Sequence, residues 1–370
     1  MASRLLMRLD ADIAAATHPL RADCLRAERA GLLARLGQLA EARQVLSTLQ
    51  GQYANHPHAV MSAWLALGDG MLCHFSDMAP SAHDRIRRAY ALSGAAREMR
   101  LHALSAAWLA LMEYLYDDFA GMARHASEAL RLAAPDDHGT RARASLVVAQ
   151  AYHLSGRLDL AQPWYAKVRL HGNADGDEAT LSALLHNMAW MHANEARQQA
   201  LSDPRGACAH VVRPHVLMSA ESTANFDSLA GLLGLDALVP ILRARILALQ
   251  GEWAESLALY DAHLTQALAQ GLERMQASLR ADMAWCRLQL GQTSRALQDA
   301  RQAAHAIGSE RDLDDRAAAH SRLAQVFGQV GDTQAADHHA RLAAADWEAH
   351  CQHQTEIVVL LDQALEGLAH

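Results

Sequence analysis

Lysine is almost absent from this chain. Lys167 is the only one in 370 residues, and arginine supplies the remaining positive charge. We read that as coding bias with no chemistry of its own. Proline is scarce, at eight residues, and runs of β-branched residues are nearly missing, which argues against a sheet and for a chain that is helical almost throughout. The five cysteines, Cys24, Cys73, Cys208, Cys286 and Cys351, are odd in number, widely spaced and without a CxxC. That excludes a disulfide framework and suits a reducing compartment. No apolar stretch approaches the length of a membrane span. The opening residues MASRLLMRLDADIAAATHPLRAD carry Asp10 and Asp12 and no sustained apolar core, so no signal peptide is expected. With a net charge of −8 and no basic run, nucleic acid is not expected as a main partner. The expectation is a soluble, cytoplasmic protein with no membrane contact.

Catalytic signatures are missing too. The sequence holds no GxxxxGK[ST] phosphate loop, no HExxH, no GxSxG and no dinucleotide fingerprint, and no strand pattern to carry the last two. The expectation is therefore no enzyme and no cofactor. An all-helical site assembled from distant residues is the alternative.

What the chain does have is a repeated phrase. Residues 35–42 read RLGQLAEA and residues 289–296 read QLGQTSRA. With Gly37 as a turn marker, similar turns fall at Asp77, Asp117, Gly156, Asp203, Gly251, Gly291 and Gly331, in steps of 40, 40, 39, 47, 48, 40 and 40 residues. Gly and Asp both end helices or open turns at low cost. Seven residues before the markers stand Ala30, Gly70, Ala110, Ala149, Ala196, Ala244, Ala284 and Ala324. Five residues after them stand Ala42, Ala82, Met122, Ala161, Cys208, Ser256, Ala296 and Ala336, all small except Met122. Antiparallel helices approach to roughly 8–10 Å, and only small side chains fit at the crossing. Each unit thus reads as a helical hairpin.

A small residue, a turn Gly seven later and an Ala five after that resembles the tetratricopeptide repeat. LGQLAEARQVLSTL (36–49) and LSGRLDLAQPWYAKV (154–168) look like its second half. The resemblance covers roughly residues 20–350. The period departs from the family's 34 or so residues, and the large aromatic early in the first helix is mostly missing. The longer period is similar to extended-helix variants in bacterial regulatory proteins. The fold this implies is all-α: a single right-handed α-solenoid of about eight antiparallel hairpins. Hairpins 1–4 fall at about 20–170 and hairpins 5–8 at about 178–350. Residues 3–17, with Leu5, Leu6, Leu9 and Ile13 on one side, read as an N-terminal cap. Residues 354–368, with Ile357, Val358, Leu361, Leu365 and Leu368, read as a C-terminal cap, a homodimer contact or a lead-in to an output domain.

Candidate sites come from two sources. Trp64 and Trp190 lie 13 residues before their markers, Trp108 lies 9 before and Trp285 lies 6 before, which is helical spacing on one face. In the resembled family that face is the concave one, where Trp64, Trp108, Leu111, Gln150, Trp190 and Trp285 would meet a ligand; ordinary core packing is the competing reading. Two connections are also long by about eight residues, HGNADGDEATLS (171–182) and SAESTANFDSLAGLLGL (219–235), and read as loops on one edge of the array. Asp175 and Asp177 in the first do not make a calcium loop, since the sixth and twelfth places from Asn173 hold Glu178 and Leu184; a solvated turn at a helix N-terminus fits better. Phe226 in the second either tucks against the core or folds into the groove.

The acids Glu310, Asp312, Asp314 and Asp315 read as a helix N-terminus. The 22 histidines read as scattered surface residues without a metal site, and protonating all of them would move the charge from −8 to +14. The reading that results is a scaffold or adaptor whose concave face binds a protein or peptide partner. The alternative is a sensor array that binds a small molecule or signalling peptide and controls an output domain outside Met1–His370.

Overall fold

Helix ends explain the architecture. Gly37, Gly156, Gly251, Gly291 and Gly331 all take positive φ, between 70° and 88°. Behind each, the chain closes the same pair of bonds. At Gly37 the amide of Gln38 donates to Leu33 O at 2.9 Å and that of Gly37 to Ala34 O at 3.1 Å. This is the left-handed helix stop that glycine adopts without steric cost. Asp117 makes the same stop at φ 59° as a non-glycine residue. Asp77 does not: it ends its helix, and Met78 is the left-handed residue, at φ 52°.

The structure, a computed structural model, describes residues 3–202, 238–309 and 312–368. Sixteen α-helices and two short 3-10 turns make up the described residues, with no strand among them. The helices form two compact units, the first comprising residues 3–184 and 357–368, the second 185–202, 238–309 and 312–356.

In the first unit run α1 (Arg4–Ala15), α2 (Pro19–Arg35), α3 (Leu39–Tyr53), α4 (Ala59–Asp77), α5 (Ser81–Ala95), α6 (Met99–Leu115), α7 (Phe119–Leu132), α8 (His138–Leu154) and α9 (Leu158–Asp175), with the start of α10 (Glu178–Ser202). Each helix from α2 packs on the next across a short turn. In addition α2 packs on α4, α4 on α6, and α6 on α8. The second unit holds the rest of α10, then α11 (Leu238–Gln250), α12 (Trp253–Ala269), α13 (Gln276–Gln289), α14 (Thr293–Ala306), α15 (Leu313–Gln329) and most of α16 (Thr333–Ala364). There α11 pairs with α12 and α13 with α14, while α13 also packs on α11 and α15.

The small residues sit where close approach demands them. Ala30, Ala110, Ala149, Ala244 and Ala284 are fully buried, as are Ala42, Ala161, Ser256 and Ala296 on the opposing helices. In one hairpin the two slots touch directly, for the Ser256 hydroxyl donates to Ala244 O at 2.7 Å. Met122, the one large residue in the series, is also fully buried.

Several expectations change here. The segment 171–182 is no projecting loop: α9 continues to Asp175 and α10 starts at Glu178, so the extra residues lengthen helices around a turn at Gly176. Residues 354–368 are no separate helix, since α16 runs unbroken from Thr333 to Ala364. The marker Asp203, the segment 219–235 with Phe226, Cys208 and Glu310 lie outside the described residues. Within the first unit Ile357, Leu361 and Leu365 are buried, and Asp362 accepts a bond from the Tyr152 hydroxyl at 2.8 Å. At the other end Leu5 and Leu9 of α1 pack with Leu25, Leu32, Leu36 and Ala179, so α1 covers apolar surface. Among the described residues no helix is long and apolar enough to cross a membrane.

Candidate functional site

A cavity of about 230 Å³ lies inside the first unit, where α2, α4, α6 and α8 converge beneath α1. A cavity of about 150 Å³ admits benzene, so this one has room for a ring bearing a short polar tail. Its apolar wall is built from Leu5, Leu9, Trp64, Leu67, Met71 and Trp108. Both indoles are nearly fully covered, Trp64 at 6% exposed and Trp108 at 2%. Phe75 meets Trp108 edge-on at 6.0 Å between ring centres, which holds the indole in place.

The polar wall consists mostly of matched pairs. Arg35 reaches both carboxylate oxygens of Asp177 and the Thr180 hydroxyl, each at 2.7 Å. Asp177 also accepts from the Thr180 amide at 3.0 Å, capping α10. Burial alone would raise the Asp177 pKa; Arg35 and the Thr180 bonds overcome that and hold it below the usual range. Arg100 pairs with Glu28 at 2.5 and 3.1 Å. Arg8 of α1 reaches Asp175 at 2.6 Å, and Arg4 and Ser3 reach Glu178. These last bonds fasten α1 over the cavity.

Among the described residues, one cation of this wall has no carboxylate. Arg143 is 5% exposed and makes no hydrogen bond from its buried Nε. Its guanidinium stacks on the Trp108 ring at 4.2 Å, with Arg35 beyond at 5.8 Å. Burial pushes the Arg143 pKa down to about 9, Arg35 adds to that, and Asp177 opposes it. Two further buried atoms of the cavity wall lack hydrogen-bond partners among the described residues, Asp137 Oδ2 and Thr140 Oγ1. Asp137 spends its other oxygen capping α8, accepting from the Thr140 amide at 3.3 Å. Asp137 at the N-cap of α8 and Thr140 and Arg143 in its first two turns all line the cavity. An unpaired buried cation is costly to maintain, and such groups cluster where proteins bind or react. No protein-family model matches this chain, and no curated protein matches it.

Of the residues expected to bind, the cavity gathers Trp64, Trp108, Asp175 and Asp177. Leu111 and Gln150 are buried and do not line it, and Gln150 Oε1 has no hydrogen-bond partner among the described residues. Trp190 and Trp285 belong to the second unit. Each lies under an arginine there, Arg245 at 4.9 Å and Arg322 at 5.3 Å. Asp177, expected to be solvated, is 2% exposed.

The residues missed are Arg143, Arg35, Asp137 and Thr140. A signal for one of them existed: Arg143 stands 13 residues before Gly156, the slot that Trp64 holds before Asp77.

The second unit buries an ionic network of its own. Asp315 receives Arg197, Arg245 at 3.1 Å and the Ser278 hydroxyl at 2.8 Å. Arg322 reaches Asp282 at 3.1 Å. Burial would raise the Asp315 pKa, but Arg197 and Arg245 hold it well below the usual carboxylate range. The acids at 312–315 are therefore more than a helix N-terminus. Arg274 pairs with Asp312 at 3.3 Å, and Asp315 is the centre of a buried ionic network. The histidines are not all at the surface either: His320 and His339 are buried with their Nδ1 atoms 2.8 Å apart. Burial, with His339 beside it, pushes the His320 pKa down to about 4, and burial takes His186 to about 4 as well. A full change of charge below pH 6 is not available to such groups.

Proposed function

We propose that this chain is a non-enzymatic binding module, a tetratricopeptide-like α-solenoid in which the first helices of successive hairpins present a common ligand-binding face. Support comes from the spacing of the turn markers, from the buried small residues at the crossings, and from the packing of α2 on α4, α4 on α6 and α6 on α8. Of the adaptor and sensor readings, we favour a sensor that takes a small molecule or the end of a peptide and passes its occupancy to an output domain elsewhere. The observation that carries this is the cavity with Arg143 on its wall, buried and without a carboxylate partner among the described residues. A flat protein interface uses large exposed anchors, whereas Trp64 and Trp108 are covered. The four described cysteines are unpaired, which supports a reducing compartment.

The test is thermal unfolding of the intact chain against pooled metabolites and short peptides. A ligand that binds only the folded state adds about 2.7 kcal/mol at one hundred times its Kd, so a sensor gives a concentration-dependent rise in Tm. An adaptor gives none and instead retains a protein partner through purification. That second outcome would overturn the sensor reading.

A further inference from the structure

The charges around the cavity almost cancel, and what is left over sets the chemistry of a fitting ligand. Arg8, Arg35 and Arg100 are each matched to a carboxylate. Arg143 remains, held against Trp108 and, among the described residues, without a carboxylate partner. At the start of α8, Asp137 Oδ2 and Thr140 Oγ1 are likewise buried with no hydrogen-bond partner among the described residues. One wall therefore offers a cation, an anion and a hydroxyl, and the other offers Trp64, Leu67 and Met71.

We propose that the cavity binds a small amphoteric molecule of amino-acid type, with a compact apolar or aromatic body, a carboxylate received by Arg143 and an ammonium received by Asp137 and Thr140. The proposal rests on the reading of this cavity as a ligand site and names the ligand's class. Arginine suits the first role because its planar fork meets both carboxylate oxygens while its other face stays on the indole. A dianion such as free phosphate is disfavoured, because the cavity is lined by four arginines against five acidic residues, and three of those arginines are already matched. A purely apolar ligand would leave three buried polar atoms unsatisfied, at a cost a charged partner removes. The volume accommodates a ring with an amino-acid end.

The ligand-free protein should carry the cost of an unmatched buried charge. Arg143→Met keeps the length and contact with Trp108 while removing that charge, so without ligand it should raise Tm. A merely structural arginine, valued for its stacking, would lower Tm when replaced. Asp137→Asn keeps an N-cap side chain and removes only the negative charge.

Isothermal titration of the intact chain with L-phenylalanine, 3-phenylpropionate, 2-phenylethylamine and toluene, and then with the remaining proteinogenic amino acids, tests the class. The proposal expects an amino acid to bind best. It expects Arg143→Met, or Arg143→Gln should the methionine variant fold poorly, and Asp137→Asn each to weaken that binding at least tenfold. Tighter binding of toluene or 3-phenylpropionate than of any amino acid, unaffected by Asp137→Asn, would overturn the amphoteric class and leave the cavity as a ligand site. No heat from any amino acid overturns the class as well. If pooled metabolites and peptides also leave Tm unmoved, the ligand-site reading falls with it.

Discussion

Replacing Gly70 by alanine should destabilise the protein, although alanine is the better helix former. Gly70 stands seven residues before the turn at Asp77, on α4, facing Ala82 five residues after it on α5. A Cβ at Gly70 would lie 2.6 Å from Ile86 Cγ1, 3.3 Å from the Ile86 nitrogen and 3.4 Å from Ala82 O. Ile86 is fully buried and cannot swing aside. Helix propensity favours the change by about 1 kcal/mol. Overpacking opposes it by about 1–3 kcal/mol. The net loss is therefore about 0–2 kcal/mol. Gly51, in the last turn of α3, has open space where a Cβ would stand, with nothing within 4 Å, so Gly51→Ala should gain about 0.5–1 kcal/mol. The informative quantity is the difference between the variants, read from urea unfolding followed by far-ultraviolet circular dichroism. Were Gly70→Ala to stabilise the protein as much as Gly51→Ala, α4 and α5 would not make their closest contact at this pair, and the explanation of the small-residue slots would fail.

Three more outcomes follow from buried charge and backbone. Asp315→Asn leaves Arg197 and Arg245 buried without their shared carboxylate and should cost about 3–5 kcal/mol in urea unfolding; a loss below about 1 kcal/mol would mean the network contributes little. His320 is neutral in the fold down to about pH 4, while the unfolded chain takes up its proton near pH 6.5. Stability should therefore be unaffected above that pH and fall between pH 6.5 and 4, by up to about 1.4 kcal/mol per unit. In His320→Gln that slope should flatten, and an unchanged slope would refute the assignment. Arg97 is exposed and left-handed at φ 55°, so Arg97→Gly should raise Tm by relieving a strain of about 1 kcal/mol; a lower Tm would show the strain is absent.

The helical hairpins were legible because the signals are local. A residue such as Gly37 marks a left-handed stop by its type alone, and Ala30 and Ala42 mark a close crossing at a fixed distance from it. The Asp77 turn is displaced by one residue: Met78 takes the left-handed conformation, and the Asp77 side chain accepts from the Ala79 amide at 3.1 Å. The site was only half legible. Trp64 and Trp108 stand out as large aromatics on one helix face, and both line the cavity. Arg143 and Asp315 look like ordinary surface charge, since their burial depends on chain far away in sequence. The Arg35–Asp177 pair spans 142 positions, and Ser3 meets Glu178 across 175; no spacing rule links such residues. Acids at a helix start have a sufficient local explanation, which hid the buried role of Asp315.

The most direct test of the account is native mass spectrometry of the intact chain after incubation with the small-molecule fraction of a lysate, run beside Arg143→Met. The account predicts a small organic adduct on the wild-type chain that is absent from the folded variant. An adduct retained equally by both, or none on either, would contradict the claim that the first unit holds a ligand at Arg143.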